Sequence, residues 1–446
     1  MKRKVTFILC ILTWVLLTMF FVQERTRVFK LKPLNGVYYN TPTPVLALQY
    51  CLSGKYQNDL ENHLRYHFGF REVLIRLYNQ YAWDFYHTTT NKTVKVSDDN
   101  WLIGKREWAN YYESRIAYYA SSRAEMKAMF DREAMRMYKV QNILDEYGVF
   151  LFVTLLPGKE FVYPEHLPEY QPEDDSLHLE PLHAIQYYPV VFDSLGVNYI
   201  DVQRIFLDWK DKVDYPLYPQ TGAHWSHVAS AQAFDTILRY IEHESGMNLN
   251  SYQIVNVHPD VTVPPDNDLE NVMNLCRPIK QGSNYYSDTK AFYEYMATMP
   301  RFLIIGDSYF WNLTQSVPLG DLFSHYEYWY YNSTVYFNPN CNHTSELDIL
   351  SEILNTQIID LSYSPVQLYD YSDHFLPKAL LYLTHEDAEI EAVIDSLAST
   401  MEQTKGEEKR KAAMDLLFSS PEDYFPDLAA EGIPATRNSR IKEVLR

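Results

Sequence analysis

The chain is poor in cysteine and glycine, with four and 14 respectively among 446 residues. Cys10, Cys51, Cys276 and Cys341 fit no C-x-x-C or related metal-ligand spacing, so no zinc signature is present and no metal is expected. There is no glycine-rich phosphate loop and no internal repeat, which leaves neither a nucleotide cradle nor a solenoid as an expectation. Positive charge is also scarce: 39 Lys and Arg stand against 58 Asp and Glu, for a net charge of −19. A field of that sign repels nucleic acid and anionic membrane surfaces, and neither is expected as a partner of the charged part of the chain. A long apolar run occurs only once. Val5 to Val22 carry no charge and follow Met1-Lys-Arg-Lys4, enough for one bilayer-spanning helix with its N-terminus in the cytoplasm. Phe20-Phe-Val-Gln-Glu-Arg25 offers no small-residue cleavage site, which favours a retained anchor over a cleaved signal. The rest of the chain is then expected to be extracytoplasmic, held by a single pass through the cell (inner) membrane. Three cysteines lie outside the anchor, so at most one disulfide forms. Cys276 with Cys341 is the expected pair, free thiols being the alternative.

What the chain does have is concentrated around Arg301-Phe-Leu-Ile-Ile-Gly-Asp-Ser-Tyr-Phe-Trp-Asn312. Arg301 to Ile305 reads as a buried strand of an α/β sheet, Gly306 ends it, and a helix is expected over Phe310–Ser316. Ser308 then stands at the strand's C-terminal end, the edge where open α/β sheets bind ligands. Backbone N–H groups at the following helix start are available to an oxyanion. The competing reading is that Asp307 and Ser308 simply cap the helix. A second stretch, Tyr218-Pro-Gln-Thr-Gly-Ala-His-Trp-Ser-His-Val228, places His224 after a Pro/Gly turn and before a helix over Val228–Ile241. A serine hydroxyl needs a base, and histidine is the usual one near neutral pH. His224 is therefore the candidate partner of Ser308; alone it would more often read as a helix-start histidine.

These residues resemble the SGNH-hydrolase-like O-acetyltransferase family, the AlgX/AlgJ type of alginate O-acetylation proteins. Gly306-Asp307-Ser308-Tyr309-Phe310 is similar to the family's serine block, and Gly222-Ala223-His224-Trp225 to its histidine block. Asn62-His-Leu-Arg-Tyr-His-Phe-Gly-Phe-Arg-Glu-Val-Leu-Ile-Arg76 resembles its membrane-proximal segment. Leu156-Pro-Gly-Lys-Glu-Phe-Val-Tyr-Pro-Glu-His-Leu-Pro168 resembles its loop after the first strand. The resemblance spans roughly residues 55 to 390. It implies an SGNH-hydrolase-like parallel sheet flanked by helices, preceded by an N-terminal transmembrane helix and a helical membrane-proximal region. It implies Ser308 and His224 as catalytic, Asp307 and Asn312 in support of the oxyanion, and Trp225 and Tyr309 at the substrate; Lys159, on a loop at the ligand edge of an α/β sheet, reads equally as binding substrate or as holding that loop. The activity implied is transfer of an acetyl group through a serine to hydroxyls of a cell-surface or exported polysaccharide. No cofactor is implied, and a membrane-bound O-acyltransferase is the implied acyl supplier. An esterase or deacetylase, and a non-catalytic glycan-binding subunit, are the alternatives. The sequence departs from the family at one position: the aspartate two residues before the histidine is Gly222 here. Another carboxylate (Asp201 and Asp214 are near in sequence) or a backbone carbonyl then orients His224, or the site is weak or dead.

Along the chain, residues 1–25 form the cytoplasmic tip and anchor. Residues 26–146 form a linker and helical region, with a helix over Tyr56–His87, a hairpin over Val94–Gly104 and a helix over Glu107–Tyr147. Residues 147–400 form the catalytic domain, where strand and helix alternate. Strands are expected at Val149–Leu156, Val197–Val202, Tyr326–Tyr331, Gln357–Leu361 and Ala379–Thr384. Residues 246–300 carry few periodic signals and read as an excursion over the sheet. Residues 401–446 continue a helical stretch, with the charged run Lys405–Lys411 as a solvated face, and then end in a loosely ordered tail. Aromatic residues make up 15% of the chain; most must be core.

Overall fold

The computed structural model describes residues 2–36, 41, 43–113, 122–170, 182–401 and 406–445. The chain opens with α1 (Lys2–Thr26), whose stretch Phe7–Thr26 is long and apolar enough to cross a membrane. The helix expected over Tyr56–His87 is two helices, α2 (Lys55–Tyr66) and α3 (Arg71–Tyr86). The break has a steric cause. Gly69 lies so close to the Phe20 carbonyl oxygen of α1 that no Cβ fits between them, and Phe70 turns into the left-handed region at φ 61°. The hairpin is present as antiparallel β1 (Val94–Val96) and β2 (Leu102–Gly104). Then come α4 (Lys105–Glu113) and α5 (Arg123–Asp145). Residues 114–121 of the helix expected over Glu107–Tyr147 lie outside the described residues, as do Pro42 of the linker and Lys405 of the charged run.

The central sheet collects β3 (Phe150–Leu155), β4 (Tyr199–Asp201), β7 (Arg301–Gly306), β8 (His325–Tyr330), β9 (Thr334–Tyr336) and β10 (Ile358–Tyr363). A separate antiparallel arm pairs β5 (Ser251–Asp260) with β6 (Asn284–Phe292). The order across the sheet is β4-β3-β10-β7-β8-β9, all parallel except β9. Parallel strands bury both faces, and the inner ones read as continuous apolar runs accordingly. Their alternation divides the core in two. Phe150, Phe152, Phe302 and Ile304 pack on one face beneath α7 (Val202–Trp209), α8 (His227–Ser245) and α10 (Phe310–Ser316). Leu151, Val153, Leu303 and Leu361 pack on the other beneath α5, α6 (Ala184–Leu195) and α12 (Phe375–Thr384). Helix α9 (Asp268–Met273) joins β5 to β6, and α11 (Ile349–Leu354) precedes β10.

Four expectations differ from the structure. Ala379–Thr384 is part of helix α12, not a strand. A short apolar run does not distinguish a buried strand from a buried helix, and Phe375 to Lys378 extend this one to a ten-residue helix with eight buried residues. Residues 246–300 hold the β5–β6 arm, whose largely exposed strands carry no hydrophobic alternation to read. Cys276 and Cys341 are not bridged; both are free. The tail is packed, with Phe425, Leu428 and Ile441 buried against the core. Arg136 of α5, 4% exposed, binds Glu133 and Glu422, and Lys139 Nζ donates to the Leu428 carbonyl at 2.7 Å.

Candidate active site

The C-terminal ends of β7 and β10 meet where Asp307 and Ser364 follow them. Asp307 Oδ2 accepts from the Ser364 N–H at 2.8 Å and Oδ1 from the Tyr309 N–H at 3.2 Å. Tyr328 O–H donates to the Asp307 carbonyl. Asp307 is thus a strut that holds the turn carrying Ser308. Burial lifts its carboxyl above the ordinary value, against the pull of those N–H donors and His224. Ser308 does not cap α10. Its Oγ lies 2.6 Å from His224 Nε2, and among the described residues no acceptor takes its backbone N–H.

His224 sits on the loop before α8, which Ser226 caps by accepting from the Ala229 N–H. On the far side of the ring, Asp268 Oδ2 lies 2.9 Å from Nδ1, bent away from the ideal N–H direction. Such bent contacts are common before substrate binds. Asp268 Oδ1 accepts from the backbone N–H of Ala223 and of Leu269, each at 2.8 Å, which fixes the carboxylate against the histidine loop at the start of α9. Burial pushes this carboxyl up, but His224 and the two N–H groups outweigh it and hold it below the ordinary value. For His224 burial acts downward, yet Asp268 first, then Asp307 and Glu107, raise it above 6.5. Neither Asp201 nor Asp214 is the orienting acid; Asp201 caps α7 by accepting from the Arg204 N–H.

The departure at Gly222 has a structural counterpart. A Cβ there would lie 2.6 Å from the Asp266 carbonyl oxygen and 2.8 Å from Pro219 Cγ. The loop that delivers Asp268 occupies the space that a side chain at 222 would need. Asp268 belongs to a stretch without periodic signals, and no local pattern marks it; the only sequence cue is a carboxylate with a following helix start.

The remaining expected residues are placed as follows. Tyr309 stays at the site, its ring edge-on to His224 with centroids 4.9 Å apart. Trp225 is fully buried, with its indole N–H on the Tyr309 carbonyl at 3.1 Å, so it offers substrate no face. Asn312 does not reach the oxyanion. Its amide donates to the Trp225 carbonyl and to Asp266 Oδ1, both at 3.0 Å, inside the core. Lys159 is 1% exposed and beyond substrate contact. Its ammonium is surrounded by the carbonyls of Leu102, Pro219, Gln220 and Gly222 at 2.7–3.2 Å. Burial draws it down to about 7, while carbonyls, which only accept, suit the charged form. Lys159 therefore clamps the histidine loop to β2.

Ser308, His224, Asp268, Tyr309 and Glu107 open into one cavity of about 480 Å³, with Lys92, Lys105 and Arg106 also on its wall. Glu107, from the first turn of α4, was not marked by any motif; burial raises its carboxyl. Among the described residues, no group of three or more His, Cys, Asp or Glu is arranged to hold a metal ion. The arrangement is that of a serine nucleophile, an imidazole base and an orienting carboxylate in the chain order His, Asp, Ser.

Residues 98–307 match the family model described as SGNH hydrolase-like domain, acetyltransferase AlgX. No curated protein matches the chain. Among solved structures, the chain is similar to the O-acetyltransferase domain of Pseudomonas putida AlgJ, at 15% identity and a TM-score of 0.41, covering 62% of this chain and 92% of that one. It is also similar to Pseudomonas aeruginosa AlgX, at 13% identity and a TM-score of 0.37, covering 63% and 68%. Bacillus cereus PatB1 with a sulfonyl adduct aligns at 14% identity and a TM-score of 0.36, covering 63% and 99%. The matched segment takes in His224 and Asp268 and ends at Asp307, and over those residues the chain is similar to the AlgX-type SGNH hydrolase-like domain.

Proposed function

We propose that this protein is a membrane-anchored, extracytoplasmic O-acetyltransferase that passes an acetyl group through Ser308 to hydroxyls of a cell-surface or exported polysaccharide. The observation that carries the reading is the 2.6 Å approach of Ser308 Oγ to His224 Nε2, with Asp268 on the other ring nitrogen. In the first half-reaction His224 takes the Ser308 proton as Oγ attacks the acyl carbonyl. The Ser308 N–H supports the oxyanion, and the imidazolium returns the proton to the leaving group. In the second half, neutral His224 takes the proton of a sugar hydroxyl, whose oxygen displaces Oγ, and the proton passes back to Ser308. Asp268 holds the tautomer with Nε2 free and stabilises the imidazolium between steps. The apolar stretch Phe7–Thr26 supports membrane anchoring. A membrane-bound O-acyltransferase is the proposed acyl supplier.

The test incubates the full chain in detergent with an acetyl-ester chromogen and follows the Ser308 peptide by mass spectrometry. An acetyl adduct is expected on Ser308, lost in Ser308→Ala and in His224→Ala. No adduct in the wild-type protein would overturn the reading. Adding an oligosaccharide acceptor then separates transfer from hydrolysis: acetylated sugar identifies a transferase, and free acetate alone an esterase.

A further inference from the structure

Helix α3 is turned inside out. Its inward face carries Asn79, Gln80, Ala82 and Trp83. Its outward face carries Leu74, Leu77, Tyr78, Tyr81 and Phe85, which are between 42% and 70% exposed. Those five positions recur at steps of three and four, so they form one stripe along the helix. An uncovered stripe of this kind marks an interaction surface.

Two observations identify what covers it. First, the stripe is continuous with the outer end of the membrane span. Residues 68–70, which immediately precede α3, pack onto the last turns of α1. The Phe20 and Phe68 rings are stacked with centroids 4.8 Å apart, Phe29 and Phe70 lie 5.7 Å apart, and Gly69 meets the Phe20 carbonyl. Arg76 of α3 donates to the Lys32 and Pro33 carbonyls of the chain leaving α1, at 2.9 and 2.7 Å. Helix α3 therefore starts at the level where the span leaves the hydrocarbon. Second, the local charge is reversed. Between residues 23 and 87 eight Lys and Arg stand against five Asp and Glu, in a chain whose net charge is −19. Leu, Tyr and Phe on one face with basic residues nearby is the composition of a helix lying in a bilayer interface, and the basic excess complements anionic headgroups.

We propose that the outward face of α3 seats in the polar–apolar interface of the bilayer that α1 spans, as a second membrane contact. This rests on the anchor reading given above. The consequence for the site is positional. On its inner face α3 holds the end of α9 and the segment after it: Asn79 donates to the Met273 carbonyl at 2.7 Å, and Gln80 accepts from the Arg277 N–H at 2.9 Å. Helix α9 begins at Asp268, so one helical layer separates the orienting acid from the lipid surface.

The test places the photo-crosslinker p-benzoyl-phenylalanine in the full chain at Tyr81, at Phe85, at Trp14 within the span, and at Tyr295, which is 88% exposed on the chain after β6. Each protein is reconstituted alone into vesicles of phosphatidylcholine and phosphatidylglycerol, and lipid adducts are counted by mass spectrometry. Adducts at positions 81 and 85 are expected to exceed those at 295 several-fold and to approach those at 14. Yields at 81 and 85 equal to that at 295, with adducts at 14, would overturn the interface and leave a protein partner as the occupant of the stripe. Absence of adducts at 14 would overturn the anchor reading itself, and the interface with it.

Discussion

Asp268 carries a feature of this site that no motif contains. Its removal tests whether an acid supplied from a separate loop performs the work usually done two residues before the histidine. Asp268→Asn is expected to slow acylation of Ser308 by about 10³–10⁴-fold, the scale seen when an orienting acid is lost. The pH dependence gives an independent check. In the proposed mechanism His224 acts as a base when neutral, and the carboxylates around it raise its pKa above 6.5. Acylation should therefore fall as pH drops through a midpoint above 6.5. In Asp268→Asn the largest raising charge is gone while burial remains, so the midpoint should move down; a profile that stays in place would contradict the assigned contact. Gly222→Asp restores the family's residue but collides with the Asp266 carbonyl and Pro219. It is expected to cost about 1–3 kcal/mol by overpacking and, combined with Asp268→Ala, to leave acylation unrecovered. Recovery in the double variant would mean that the loop yields.

At the level of elements, the expectations held where burial is periodic. The strand from Arg301, the helix from Phe310 and the helix after His224 stand at β7, α10 and α8, because each buries a stripe or a run that its own residues announce. They failed where packing between elements decides. Lys159 read equally as facing substrate or as holding its loop, and packing selects the second: it is enclosed by four carbonyls from β2 and the histidine loop. Lys159→Met leaves those carbonyls without a donor and should lower stability by about 1–3 kcal/mol for the buried groups left unpaired. In an urea melt this shows as a lower midpoint with an unchanged slope. An unchanged midpoint would show that water replaces the ammonium.

For the molecule as a whole, the C-terminal residues are part of the fold. Arg136 sits between Glu133 and Glu422, joining α5 to the chain after helix α13 (Glu407–Ser419). Removing one partner of a buried ionic group leaves the others uncompensated, so Arg136→Met should destabilise by about 3–5 kcal/mol, read as a lower melting temperature. Burial raises the Glu422 carboxyl, but Arg136 outweighs it and holds it below 4.5. A depressed carboxylate contributes stability above its unfolded pKa and loses it as pH falls through the folded value. The stability that Arg136 supplies should therefore begin to fall in acid once pH passes the ordinary carboxylate range and be lost through the lower folded value, and wild type and Arg136→Met should converge there.

The sequence by itself determined the class of fold, the single apolar span and the pairing of Ser308 with His224. Each rests on a local signal: an apolar run, a strand-end serine, a histidine at a helix start. Only the tertiary structure decided what stands behind the histidine. Ala223 and Asp268 are 45 residues apart, and the carboxylate comes from a short helix whose neighbours form a solvent-exposed arm. No periodicity marks such a residue, because its position depends on how the loop from Val263 to Asp268 packs against a glycine. The same holds for Lys159, Trp225 and Asn312. Their types suit a site, and the structure spends each of them on holding the loops that form it.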